Sequence, residues 1–361
     1  MLKGLIALFV LIVIFVCAGV GGWIYSSLSN PHSHDKANQF IQIPRGSSPA
    51  DIAEKLQTEG IIRSALAMQI YLRFSGESAN LKAGEYQFNS PISALQVIEE
   101  LKKGEERTTK LTIPEGWTRF DIAREIAEKF PQNPPVDDKA VLALMDDTTL
   151  IKDFDPAAKN LEGYLYPSTY NFPKETAPKQ IIKTLVEQFK KIWKPEWNAQ
   201  AQALGRSPKD IVTIASLIET EAKKEEERPI VASVIYNRLQ KGIPLGIDQT
   251  NVYIAKMMGR WDGVINKSDL EVDSPYNTRK IAGIPPGPIS SPSESALKAA
   301  LNPAQTNYIY YVFDPTRNDG SQNFYSSAAE FERGKAVYQK WLEEQREIKR
   351  QQQAANNSSN N

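Results

Sequence analysis

The chain of 361 residues contains one cysteine, Cys17, and two histidines, His32 and His34. One cysteine excludes an intrachain disulfide and any zinc site built on thiolates. Both histidines lie near the N-terminus, so the chain after residue 34 has no imidazole. That excludes Ser-His-Asp and Cys-His catalysis, histidine-ligated metals and histidine acid–base chemistry from the whole folded region. An excess of positive charge is also missing. Lys+Arg is 43 and Asp+Glu is 43, which argues against a protein that binds nucleic acid by neutralising phosphates. Any catalysis falls to carboxylates, Lys, Tyr, Ser or Thr, and the composition calls for no cofactor and no metal.

What is present begins with a long apolar run. Residues 5–25 (LIALFVLIVIFVCAGVGGWIY) carry no charge. As a helix they extend about 31 Å, enough to cross a hydrocarbon core of ~30 Å. Trp23 and Tyr25 sit where interfacial aromatics belong. A cleaved signal peptide is the alternative, but the run exceeds a usual signal core and no clear A-x-A site follows. The expectation is a single-pass anchor: residues 1–4 cytoplasmic, 5–25 in the membrane, 26–39 a polar stalk, and the bulk outside the cytoplasm.

An internal repeat follows. Residues 41–56 (IQIPRGSSPADIAEKL) and 111–126 (LTIPEGWTRFDIAREI) share Ile, Pro, Gly, Asp, Ile and Ala in register. Each reads as a strand, a Pro-x-Gly turn and a helix. A shared local solution without common ancestry is one reading; a small LysM-like βα module is the other. Helices are expected at 65–74, 92–101, 180–192, 207–224 and 229–239, with strands at 83–88 and 308–313. The overall expectation is α+β: a small LysM-like domain at 40–105, a larger mixed catalytic domain at 106–345, and a disordered polar tail at 346–361. The helical pattern at the end runs from 328 to 350.

One helix carries a candidate acid. Over 211–222, Ile211, Ile214, Ala215, Ile218 and Ala222 make an apolar stripe at 100° per residue, and Glu219 falls at its edge. A half-apolar setting disfavours the carboxylate and raises its pKa, the condition a general acid needs at neutral pH. A boundary glutamate reaching into water is the plain alternative. Residues 161–170 (LEGYLYPSTY) combine Glu162, Tyr166 and Tyr170, a set suited to the apolar faces and hydroxyl edges of sugar rings. Residues 274–278 (SPYNT) offer Tyr276, Asn277 and Thr278 as hydrogen-bonding groups. Residues 283–292 (GIPPGPISSP) form a loop too rich in proline for regular structure.

Taken together, these segments resemble the YceG-like, endolytic murein transglycosylase family. The resemblance also draws on residues 214–222 (IASLIETEA), 227–239 (ERPIVASVIYNRL), 245–253 (LGIDQTNVY) and 296–303 (ALKAALNP), and spans about 40 to 340. It implies one catalytic glutamate, the first of the S-x-x-E-x-E pattern, which is Glu219. It implies cleavage of the β-1,4 bond from N-acetylmuramic acid to N-acetylglucosamine within peptidoglycan glycan strands, leaving 1,6-anhydro ends. It implies peptidoglycan synthases (penicillin-binding proteins) as partners at the inner membrane. Ser216, Glu221, Asn237, Asp248 and Thr250 join the candidate substrate-binding set. Three positions depart from the family pattern: Gly246 for Gln, Ser168 for Asp and Gln322 for His. Two rival readings stay open: a muramidase-type hydrolase pairing Glu219 with Asp248, and a non-catalytic peptidoglycan-binding scaffold.

Overall fold

The computed structural model describes the backbone of residues 2–37, 39–44, 46–104, 108–317 and 319–359, and the side chains of that set outside 2–8 and 354–359. The chain divides into two compact units, Met1–Thr109 and Lys110–Asn361.

The first unit opens with α1, Leu2–Ser29. Its stretch Phe9–Ser29 is long and apolar enough to cross a membrane by length and composition, and large side chains such as Phe9, Phe15 and Val16 lie exposed along it. The helix overruns the expected span by one turn, because Leu28 packs into the core of this unit with Ile24 against it. The expected stalk is not free chain either. His32 pairs with Ile92 as an antiparallel bridge, the His34 N–H donates to Ser90 Oγ at 2.9 Å, and Lys36 pairs with Glu59 at 2.5 Å. Polar composition alone did not reveal these partners.

Strand β1 (Ile41–Ile43) then pairs antiparallel with β2 (Gly84–Tyr86). Between them lie α2 (Pro49–Thr58) and α3 (Ala65–Ser75), and α4 (Ala94–Lys103) closes the unit. Ile43, Leu56, Met68, Leu72, Phe88 and Ile98 are its buried centre.

The second unit starts from β3 (Thr108–Ile113), which pairs with β4 (Ser168–Pro173). The repeat is real as local geometry. Gly46 and Gly116 both turn at positive φ, +83° and +77°. Ser48–Asp51 and Thr118–Asp121 both form capping boxes, the first at α2 and the second at α5 (Arg119–Lys129), each satisfying orphan N–H groups of a first turn.

Then come α6 (Asp138–Leu144), α7 (Pro178–Ile192) and α8 (Glu196–Ala203). The central helix α9, Pro208–Glu221, starts at the Ser207–Asp210 capping box with Pro208 in its first turn. Around it pack α8, α10 (Arg228–Lys241), α11 (Gln249–Met257) and α13 (Glu294–Leu301), while the four-residue α12 (Lys267–Leu270) contacts α11. The amphipathic reading of α9 is corrected here. Ile211 through Ile218 are all buried, including Thr213 and Ser216. The helix is enclosed on every side, as a core helix is. A hairpin of β5 (Tyr310–Phe313) and β6 (Gln322–Tyr325) precedes the last helix, α14, Ala328–Ser359. α14 continues through the segment expected to be a disordered tail. No proline or glycine interrupts residues 346–359, so nothing in that stretch ends a helix already begun.

Candidate active site

Glu219 occupies the last turn of α9, and its carboxylate is fully engaged. Oε2 accepts the backbone N–H of Ser293 at 2.8 Å and the Ser293 hydroxyl at 2.5 Å. Oε1 accepts from Arg228 Nη2 at 2.7 Å. The Glu219 side chain is only 4% exposed and that of Arg228 9%. Two loops build this arrangement. Ser293 is the N-cap of α13 and its hydroxyl also receives the Ala296 N–H, so the first turn of a helix delivers both donors to Oε2. Arg228 opens α10 directly before Pro229, and its Nη1 donates to the Ser293 hydroxyl at 2.6 Å.

The Pro-rich loop is what carries Ser293 to Glu219. Ser216 Oγ accepts the Ile289 N–H at 3.1 Å, and the Ser216 carbonyl accepts from Ser290 Oγ at 3.1 Å. The Gly116 N–H donates to the Ser291 carbonyl at 2.9 Å, and the Ser291 N–H to the Trp117 carbonyl at 2.8 Å. The Pro114–Trp117 turn is thereby fixed beside Glu219: a Cβ at Gly116 would lie 3.9 Å from Glu219 Cγ. On the opposite side of the loop, Gly163 of the LEGYLY segment turns at φ +81°. A Cβ there would lie 2.5 Å from Pro288 Cβ, so only glycine fits.

Burial pushes the Glu219 pKa up; the two Ser293 donors and the Arg228 charge pull against it, and the net shift is upward. Beside it lie two groups closer to solvent. Glu115 is more than half exposed and sits 3.6 Å from Arg228 Nη2. Tyr166 is half-buried. Burial raises its pKa, and the charges of Glu294, Glu115 and Glu219 add to the effect. These residues form a rim over a sunken carboxylate.

The other expected site residues lie elsewhere or serve the scaffold. Glu162 is buried and both its oxygens accept the Arg119 N–H, at 3.1 and 3.0 Å. Burial raises its pKa to about 7. Tyr253 and Tyr276 accompany it, with ring centroids 5.2 Å apart. Tyr170 donates to the Tyr166 carbonyl at 2.7 Å and so fixes that loop. Glu221 accepts from Tyr311 Oη at 2.8 Å, and burial raises it to about 7.

Five residues are occupied by the backbone. Ser216 is spent on the loop and on the Thr213 carbonyl. Asn237 donates to the Thr306 and Tyr308 carbonyls, both at 2.9 Å. Thr250 and Thr278 bond each other at 3.1 Å and the Ile247 carbonyl. Asn277 caps the Leu270 and Val272 carbonyls at 3.0 and 2.7 Å. Ser216, Thr250, Asn277 and Thr278 have no exposed surface, and their hydrogen bonds are made to the surrounding protein. Asp248 is half exposed and paired with Arg279. Sequence reading missed Arg228, Ser293 and Glu115. Their signals are an arginine set directly before a helix-opening proline, a serine directly after the Pro-rich loop, and the acidic residue inside the repeated Ile-Pro-x-Gly turn.

The site is thus a helix-borne, desolvated carboxyl held by a serine N-cap and an arginine. With that geometry, the comparisons fall into place. The YceG-like family profile matches residues 41–337, and the chain belongs to this family. It is 34% identical over 339 residues to an endolytic murein transglycosylase of Bacillus subtilis, covering 88% of this chain and 90% of that protein. It is 30% identical to the endolytic murein transglycosylase of Streptococcus pneumoniae, but spans only 61% of that longer chain. The crystal structure of a yceG-like protein from Listeria monocytogenes superposes with a TM-score of 0.55 at 33% identity, covering 81% of this chain and 98% of that one.

Proposed function

We infer that the chain is an endolytic murein transglycosylase. Its substrate is then the peptidoglycan glycan strand, cut internally at the β-1,4 bond after N-acetylmuramic acid. The observation that carries the mechanistic reading is the asymmetry of Glu219: Oε2 is saturated by Ser293, and among the described residues Oε1 meets only Arg228. Protonated on Oε1, Glu219 donates its proton to the glycosidic oxygen, and the C1–O bond breaks. C1 becomes oxocarbenium-like. The carboxylate then takes the proton of the sugar's own C6 hydroxyl as that oxygen bonds to C1. No water enters, and Glu219 is left neutral for the next cut. The internal nucleophile supplies the proximity advantage of an intramolecular reaction, so a second carboxylate is not required as it is in most glycosidases. Asp248, the second carboxylate that the hydrolase reading needs, is instead tied up in an ion pair with Arg279.

The supporting parts follow from the same reading. α1 serves as a single-pass anchor in the inner membrane with the remaining chain on the extracytoplasmic side. The β–α–α–β order of the first unit supports a LysM-like module that holds glycan. Peptidoglycan synthases are the proposed partners. Tyr166 at the rim is the best-placed sugar contact of the expected set. Isolated glycan strands incubated with the full chain in detergent test the bond chemistry. Internal fragments with anhydro ends support it; ends heavier by one water replace it with a hydrolase.

A further inference from the structure

The arginine that meets the proposed acid is placed where it would keep that acid ionised. A guanidinium 2.7 Å from Oε1 favours the carboxylate form, and the proton must arrive on Oε1 because Ser293 fills Oε2. The resting arrangement is therefore not competent to donate. The way out is visible in the same side chain. Arg228 Nη2 is also 3.6 Å from Glu115 Oε2. Arg228 Nη1 is tied to Ser293 Oγ, and Arg228 Nε is buried without a hydrogen-bond partner. An unmet buried donor is costly, so this seat does not satisfy the guanidinium completely. Glu115 is exposed at its tip and fixed at its base. Its carboxylate is more than half exposed, while its turn is clamped through Gly116 and Trp117 to Ser291.

We propose that Arg228 is a positioning residue that gates Glu219 by passing Nη2 from Oε1 of that carboxylate to Glu115, with Nη1 on Ser293 as the pivot. The proposal rests on Glu219 being the general acid. In the exchanged state Oε1 faces the rim, free to take a proton and to meet a glycosidic oxygen. The groups facing Glu219 are Ser293 and the nearby Glu294 from α13, Arg228 from α10, Glu115 from the turn and the Tyr166 hydroxyl. Among the described residues, the charged group that touches Oε1 is Arg228.

The test is the pH dependence of kcat and kcat/KM for the full chain in detergent, on isolated glycan strands, for wild type, Glu115→Gln, Arg228→Gln and the double variant. Activity falls on the alkaline side as the acid loses its proton. Removing Glu115 strands Arg228 on Glu219: the alkaline limb moves down by about one pH unit and kcat falls about tenfold, with KM nearly unchanged. Arg228→Gln moves the limb the opposite way. In the Arg228→Gln background, Glu115→Gln then has little further effect, since there is no guanidinium left to receive. Profiles that merely scale, with limbs in place, would make Arg228 and Glu115 structural and overturn the gate. So would a Glu115→Gln shift that persists in full without Arg228. Glu115 is exposed, so its single variant carries the test if Arg228→Gln does not fold. Undiminished activity of Glu219→Gln, run alongside, would instead remove the acid assignment beneath it.

Discussion

Arg228 Nη2 and Glu219 Oε1 meet at 2.7 Å across nine residues of sequence, joining the start of α10 to the last turn of α9. The contact fixes what the site is in its resting form: an ion pair, sunk below the surface and tied through Ser293 to a third element. A lone carboxyl at the end of a core helix would face either water or an unmet burial cost. Here it faces three donors and is held in one orientation.

Ser293 is expected to act on both stability and acidity. Ser293→Ala deletes the N-cap hydroxyl of α13, at a cost of about 1 kcal/mol, read as a lower denaturant midpoint. It also deletes one of the two donors that lower the Glu219 pKa. The alkaline limb of the rate profile therefore moves to higher pH while the maximal rate falls. A variant with an unchanged limb would show that the hydroxyl does not tune the acid.

Glu162 makes stability depend on pH in a defined direction. Its folded pKa of about 7 lies above the usual 4.5, so the fold favours the protonated form. The contribution is fully present below pH 4.5 and is lost as pH rises through about 7. That rise is worth at most roughly 3 kcal/mol. Glu221 acts in the same window. Glu162→Gln is expected to flatten, without abolishing, the loss of unfolding free energy between about pH 5 and pH 8. Equal slopes in variant and wild type would contradict the assignment.

The proposed anchor gives a simple expectation. Intact-mass measurement of the chain recovered from a membrane fraction finds residues 1–25 still attached. Loss of that segment marks a cleaved signal instead. Because Leu28 is buried in the first unit, Leu28→Ala should also destabilise that unit by about 2–3 kcal/mol, measured by denaturant unfolding.

Local order was readable in the sequence where local chemistry decides it. The Ser207–Asp210 capping box and Pro208 placed the start of α9, and the repeated Pro-x-Gly turns gave two equivalent strand–turn–helix pieces. Glu219 drew attention by its position on α9, but its surroundings differ from the expected ones. A one-sided stripe was expected, yet Val212, Thr213, Ser216 and Leu217 are buried as well, because four helices pack around α9. Pairing to distant chain was not readable. Ser293 lies 74 residues from Glu219, and the hydrogen bonds that bring it there belong to Ser216 and to a loop without periodicity. For the same reason the burial of Asn277 and Thr278 was not readable: a buried amide capping carbonyls and an exposed one have the same sequence.

The account turns on Glu219, and the most direct measurement is the rate of anhydro-end formation by Glu219→Gln in the full chain, with circular dichroism as the check on folding. The account predicts a fall of about 10²- to 10⁴-fold with the spectrum unchanged. A folded variant that cuts within about twofold of the wild-type rate would contradict it.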